Sequence, residues 1–106
     1  MRQEWNEVPL ACALSDAELR QRKATLLARF HSAAIAIVEL PDGYEFQIPG
    51  DKKWILLAAE LIAAERECCP FLKLELTVQP GHGPVTVRVT GPFRAKEFVM
   101  STFCGG

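Results

Sequence analysis

The sequence predicts a small α+β domain in which an N-terminal helix precedes two strand–strand–helix units. The four strands are expected to form one antiparallel sheet with the helices packed on one face. Two observations predict this class. Four short segments alternate apolar and polar residues with period two, and the two units repeat the same order of elements, with Gly43 and Gly81 at corresponding turns. The 106 residues fit a single domain. We expect an extended segment at residues 1–10 and a flexible tail at residues 104–106.

The first helix is predicted to run from about Asp16 to Phe30. Its start is signalled by "SDAE", a capping box in which Ser15 caps free N–H groups and Glu18 reaches back to the Ser15 N–H. The apolar stripe of this helix consists of Leu19, Leu26, Leu27 and Phe30. The basic residues expected on its solvated face are Arg20, Arg22, Lys23 and Arg29.

The predicted strands are residues 34–40, 44–48, 71–79 and 85–90. The turn sequences "PDG" and "PGHGP" join them in pairs, so each pair is a hairpin. In the third strand one face carries Leu72, Leu74, Leu76 and Val78. Two units are too few for a solenoid, so the repeat predicts a closed pseudo-twofold unit or a homodimer that pairs sheet edges.

The second helix is predicted from about Asp51, a suitable N-cap, to Cys68. Its buried face is expected to contain Trp54, Ile55, Ala58, Leu61 and Ile62. Pro70 removes an N–H and disfavours helical geometry at Cys69, so the helix must end there. A third helix should open with Pro92 at its first position. The residues expected to anchor it are Phe93, Met100 and Phe103.

Composition and charge argue against several classes of partner. The net charge of −1 provides no basic footprint for nucleic acid, and no apolar stretch approaches the roughly 20 residues of a membrane span. The N-terminal residues contain no apolar core of a secretory signal, so we expect a cytoplasmic protein with neither nucleic acid nor membrane as partner. In that compartment, four cysteines favour metal binding or thiol chemistry over structural disulfides.

A candidate site lies in "AERECCPFL", residues 64–72. Glu65 precedes Cys68 and Cys69 by one helical turn and extends the apolar column of the second helix, where a carboxylate needs a partner. Cys12 stands on an extended segment before the first helix and is expected to reach the pair. These four residues are the candidate metal ligands.

Soft thiolates select ions such as copper(I), zinc or mercury. A structural zinc site is a weaker interpretation, because adjacent cysteines lack the usual C-x2-4-C spacing. As free nucleophiles Cys68 and Cys69 are poor, since the helix dipole and Glu65 both oppose a thiolate at a helix C-terminus. A bound cation would deprotonate them. The pattern therefore favours a binding protein over an enzyme, used for metal sequestration, delivery or sensing, with no organic cofactor.

Three alternatives remain open. The cysteines can simply pack in the core. They can serve a thiol-dependent redox enzyme or switch, which predicts a disulfide between Cys12 and Cys68 or Cys69 on oxidation; a bridge within the pair would close a strained ring. The domain can also be a protein-interaction module whose cysteines are structural.

The segments "CALSDAELRQRKATLLARF", "LPDGYEFQIPGD", "AAERECCPFLKLELTV" and "VTGPFRAKEF" together resemble a family of small bacterial domains with a Glu-x-x-Cys-Cys-x-Phe core. The resemblance covers about residues 10–103. Its matching positions are Cys12, Glu65, Cys68, Cys69 and Phe71, whereas Cys104 does not fit the pattern. Some similar sequences lie beside, or are fused to, MerR-type regulators. The resemblance therefore implies a link to metal or thiol stress and a metal-responsive regulator as a partner.

Overall fold

The computed structural model describes residues 17–92 and 94–103, with three helices and four strands. In chain order the elements are α1 (Ala17–Ala33), β1 (Ala36–Leu40), β2 (Gly43–Ile48), α2 (Lys52–Cys68), β3 (Lys73–Thr77), β4 (Val85–Thr90) and α3 (Ala95–Phe103). The strands form one antiparallel sheet. The predicted α+β class, with one helix before two strand–strand–helix units, is confirmed.

The sheet has the strand order β1-β2-β4-β3, so the second strands of the two hairpins pair at its centre. Phe46 lies opposite Val87 and Tyr44 lies opposite Val89 in this central pair. The alternation of strand side chains then places apolar residues of both strands on one face. Those buried strand residues are Tyr44, Phe46, Ile48, Val85, Val87 and Val89.

All three helices contribute side chains to the core cluster that contains these strand residues. The buried helical residues in that cluster are Leu26, Phe30, Leu57, Ala58, Leu61 and Val99. The Phe30 and Phe46 rings meet edge to face at 5.3 Å between centroids, a favoured aromatic geometry. On the other face Arg88 donates to Glu45 at 2.9 Å across the central strands. One amphipathic sheet with a shared core is what the period-two pattern predicts.

The predicted bounds of β3 and the predicted buried face of α2 need correction. β3 spans only residues 73–77, because the chain leaves α2 through a turn in which the Leu72 N–H donates to the Cys69 carbonyl at 3.1 Å. Val78 therefore lies beyond the strand and is 56% exposed, contrary to its predicted place in the strand on the same face as Leu74 and Leu76. In α2 the prediction missed Leu57, which is buried, whereas three expected core residues are only partly buried: Trp54, Ile55 and Ile62.

The third helix starts later than predicted. Arg94 adopts a left-handed φ of 76°, so the chain turns there, and α3 begins at Ala95 instead of Pro92. The Ala95 N–H donates to the Pro92 carbonyl at 2.9 Å across this turn. Met100 is 50% exposed and does not anchor the helix; Val99 is buried in its place.

Several predictions fall on residues that the structure does not describe. They concern the capping residue Ser15, the extended segment at 1–10, the tail at 104–106 and Phe93, together with the side chain of Phe103. Within the described ranges, no helix combines the length and apolar character required to cross a membrane.

Candidate functional site: the buried cysteine pair

The end of α2 places the two cysteines in the interior. Cys68 is the last helical residue, and the N–H of Cys69 donates to the Glu65 carbonyl at 2.6 Å, which closes the final turn. Pro70 then prevents the helix from continuing. Both cysteines are fully buried, as Phe71 is. The predicted helix end is confirmed, and it carries the pair directly into the core.

The cysteine pair has its own small apolar cluster. Cys68 and Cys69 pack with Phe71 and with Ala95, the first residue of α3, and Leu72 covers them in part. The pair thus lies between the end of α2, the turn after it and the start of α3. Such packing is what the plainest alternative, cysteines as core residues, requires.

Glu65 adds a buried carboxylate to this otherwise apolar cluster. Its side chain is 0% exposed, which confirms its predicted place on the buried face of α2. Neither carboxylate oxygen accepts a hydrogen bond of normal geometry from the described residues. Burial raises the pKa of the Glu65 carboxyl, while the charge of Lys23 and the Cys69 thiol act in the opposite direction. A carboxylate held in this way retains acceptor capacity for a further donor or cation.

Lys23 of α1 supplies the positive charge of the site. Its ammonium lies 3.4 Å from Glu65 Oε2 and donates a hydrogen bond to Cys68 Sγ at 3.2 Å. The residue is only 8% exposed, so the expectation that it belongs to the solvated face is wrong. The sequence contains one indication of this position. Lys23 lies four residues after Leu19 and three before Leu26, in line with the apolar stripe of the helix.

Cys69 is a free, buried thiol. Burial raises its pKa from the ordinary value of 9.0 to about 12, and the negative charge of Glu65 adds to the effect, with Lys23 opposing. A thiol with this pKa is almost entirely protonated at neutral pH and is a weak nucleophile. The raised pKa agrees with the sequence argument against a free thiolate at this position. Its larger cause, however, is desolvation of the thiol and not the charge of Glu65.

Cys68 is disulfide-bonded, unlike its chain neighbour. Since Cys69 is free, the bridge does not lie within the pair, as the strain argument predicts. The other two cysteines of the chain, Cys12 and Cys104, lie outside the described residues. The predicted approach of Cys12 to the pair therefore stays a prediction.

Among the described residues there is no group of three or more histidine, cysteine, aspartate or glutamate side chains arranged to hold a metal ion. Of the candidate ligands in the described part of the cluster, Cys68 is in a disulfide, Cys69 is a protonated thiol, and the third is the buried Glu65.

What the cluster does chemically is hold one cation, the Lys23 ammonium, among a carboxylate and two sulfur atoms. It joins three elements, since the ammonium comes from α1, Glu65 and Cys68 from α2, and part of the apolar cover from Ala95 at the start of α3. Comparisons of this chain with protein-family models, with curated proteins and with solved structures found no match.

Proposed function

We propose that the reduced protein binds one soft metal ion at the buried cysteine pair. Cys68 and Cys69 are the primary thiolate ligands, Cys12 is a third ligand, and Glu65 is a carboxylate ligand or neighbour. The observation that carries the proposal is the fully buried Glu65 side chain, whose oxygens retain acceptor capacity beside two buried cysteines. The biological role would be sequestration, delivery or sensing of the ion.

The charge balance of the cluster supports a divalent ion. The described side chains, the Glu65 carboxylate and the thiolates of Cys68 and Cys69, would carry three negative charges, which the Lys23 ammonium and one divalent cation would neutralise. A third thiolate from Cys12 would leave one negative charge with a divalent ion and two with a monovalent ion. A neutral buried set avoids the free energy that an uncompensated charge costs in the interior. Thiolates prefer soft ions, so mercury(II) fits best, whereas zinc needs more ligands and copper(I) leaves one negative charge unbalanced.

The raised pKa of Cys69 does not prevent metal binding, but it makes binding depend on pH. A thiol with a pKa of about 12 must lose its proton to become a ligand. A metal ion supplies the free energy for that loss and releases the proton to solvent. We therefore expect the apparent affinity to rise with pH from acid to neutral solution, with proton release on binding.

A redox enzyme is a weaker candidate, because Cys69 is buried and protonated and so lacks the properties of a reactive thiol. A cytoplasmic location would keep the cysteines reduced and able to bind a metal. The resemblance to domains found beside MerR-type regulators supports a metal-responsive regulator as the partner that receives the ion or the signal.

The test is a titration of fully reduced protein with mercury(II), copper(I) and zinc, followed by the ultraviolet charge-transfer absorption of metal–thiolate bonds. The wild type should show a saturable signal, and the variant Cys68→Ser/Cys69→Ser should lose it. Cys104→Ser is the matched control, because Cys104 is a cysteine without a role in the proposed site, and it should titrate like the wild type. Circular dichroism verifies that each variant is folded. An unchanged titration of the folded double variant would overturn the proposal.

A further inference from the structure

The outer edge of strand β1 is apolar and has no strand partner among the described residues. β1 pairs with β2 on one side only, because it is the first strand in the order β1-β2-β4-β3. Six large apolar side chains are exposed in the described part of the chain, and three of them lie in or next to this strand: Ile35, Ile37 and Val38. An exposed apolar edge strand is a template for pairing with another strand.

The backbone groups at this edge follow from the pairing of the central strands. The Gly91 N–H donates to the Asp42 carbonyl, and these residues face each other in the continued β2–β4 register. Hydrogen-bonded and non-hydrogen-bonded pairs alternate along an antiparallel ladder. The odd-numbered residues of β2 therefore direct their backbone groups to β1, where they bond the even-numbered residues. This leaves the N–H and C=O groups of Ile37 and Glu39 directed to the free edge.

The opposite edge of the sheet, strand β3, is protected by charge. Its five residues include Lys73 and Glu75, and charged side chains, lysine above all, oppose unwanted pairing of edge strands. β1 contains one charged residue, Glu39, and Lys96 of α3 forms an ion pair with it, so its charge is balanced within the chain. The difference between the two edges favours association through β1.

We propose that two copies of this chain associate through their β1 strands, which joins the two four-stranded sheets into one antiparallel sheet. Full antiparallel overlap of residues 36–40 places Val38 opposite its own copy, on a twofold axis. Ile37 of each copy then lies opposite Glu39 of the other, and the groups directed to the free edge bond each other. This isologous interface closes at two copies and leaves the charged β3 strands outermost. It uses no residue of the cysteine cluster, so its test is independent of metal binding.

The side chains on both faces of β1 fit this arrangement. Ile37 lies opposite the buried Phe46, so its side chain is on the apolar face of the sheet, and Val38 is on the other face. In the twofold arrangement the two Val38 residues form a non-hydrogen-bonded pair, the kind in which facing side chains are closest. Contacts between facing side chains are the main stabilising interactions of a strand pair. Association would therefore bury exposed apolar side chains on both faces.

Helix α3 adds an apolar residue near this edge. Lys96 reaches Glu39 of β1, and Met100 follows Lys96 by four residues, on the same side of the helix. Met100 is exposed. The strand itself has five residues and is only about 17 Å long, so the interface is small for a stable dimer. We therefore expect a dimer that dissociates on dilution.

Sedimentation velocity over a range of protein concentrations tests the proposal, after denaturing mass spectrometry has verified that no covalent bond links two copies. Wild-type protein should change from dimer to monomer on dilution. Val38→Lys should associate at least about tenfold more weakly, because two lysines would face each other across the axis. Val78→Lys, which changes an exposed valine outside β1, is the matched control and should associate like the wild type.

A mixing experiment tests the position of the twofold axis. Val38→Glu alone should be as monomeric as Val38→Lys, and an equimolar mixture of the two should form a dimer, because opposite charges then face each other. Ile37→Pro removes an N–H at the free edge and no hydrogen bond of the ladder within the chain, so it should fold and stay monomeric. Circular dichroism verifies the folding of each variant.

Three results would overturn the proposal. Wild-type protein that is monomeric at every concentration would show that β1 is covered by another part of the chain or by a different protein. Association of Val38→Lys with wild-type strength would place the interface elsewhere. A mixture of Val38→Lys and Val38→Glu that stays monomeric would exclude the twofold axis at Val38.

Discussion

At the scale of single residues, the buried pair of Lys23 and Glu65 controls the cysteine cluster. The two side chains are 3.4 Å apart, and both lie almost entirely out of solvent. Such a pair contributes little net stability when both partners are present, because desolvation offsets the attraction. Removal of one partner is different, since it leaves the other charge uncompensated.

We predict that Lys23→Met lowers the free energy of unfolding by about 3 to 5 kcal/mol, because Glu65 then lacks its counter-ion. Lys23→Met/Glu65→Gln should be less destabilised than the single variant, since no buried charge remains. Urea denaturation of both variants measures this, with the exposed Lys73→Met as the control for loss of a lysine. Wild-type stability of Lys23→Met would contradict the ion pair.

Cys69 gives a prediction for alkaline solution. Its pKa is raised from 9.0 to about 12 in the folded protein, so above pH 9 the unfolded chain loses a proton that the folded chain keeps. The free energy of unfolding should therefore fall from pH 9 upward, by at most about 1.4 kcal/mol per pH unit for this thiol. Cys69→Ala should remove that part of the decline. Reduced protein unfolded by urea at several pH values gives the comparison, and parallel curves for the two proteins would exclude a shifted thiol.

At the scale of secondary-structure elements, the sequence predicts strand β4 and the end of α2 well, because strict alternation and a proline mark them without help from the rest of the fold. It fails at the start of α3, where the left-handed backbone of Arg94 is an outcome of tertiary context. It also fails for Lys23, because a charged residue on an apolar stripe is recognised as buried only when its partner on another helix is known.

The close approach of β2 and β4 gives a prediction at the same scale. Gly43 pairs with Thr90, and a Cβ atom at Gly43 would overlap the Val89 carbonyl oxygen. We predict that Gly43→Ala lowers the free energy of unfolding by about 1 to 3 kcal/mol, since the strands must separate locally.

The matched control for this change is Gly83→Ala. A Cβ atom at Gly83 would meet no atom within 4 Å, so the substitution should leave stability within about 0.5 kcal/mol of wild type. Both variants are compared by thermal and urea unfolding. Equal stability of the two variants would show that the strands accommodate a Cβ atom at Gly43, which would contradict the close contact with the Val89 carbonyl oxygen.

At the scale of the whole molecule, the cysteine cluster is a junction of α1, α2 and the start of α3. Period-two and helical patterns could predict the elements, and the position of Glu65 could predict that a partner was required. These patterns could not identify Lys23 as the partner of Glu65, because the packing of α1 against α2 depends on the assembled core. They also could not place Cys12, which lies outside the described residues.

The central claim is that reduced Cys68 and Cys69 bind one soft metal ion, and native mass spectrometry of freshly reduced protein tests it most directly. With mercury(II) we predict a single adduct whose mass is that of the metal minus the protons displaced from the thiols. Cys104→Ser should behave in the same way, and Cys68→Ser/Cys69→Ser should show no adduct. Adducts of equal abundance on wild type and the double variant, or none with mercury(II), copper(I) or zinc, would contradict the account.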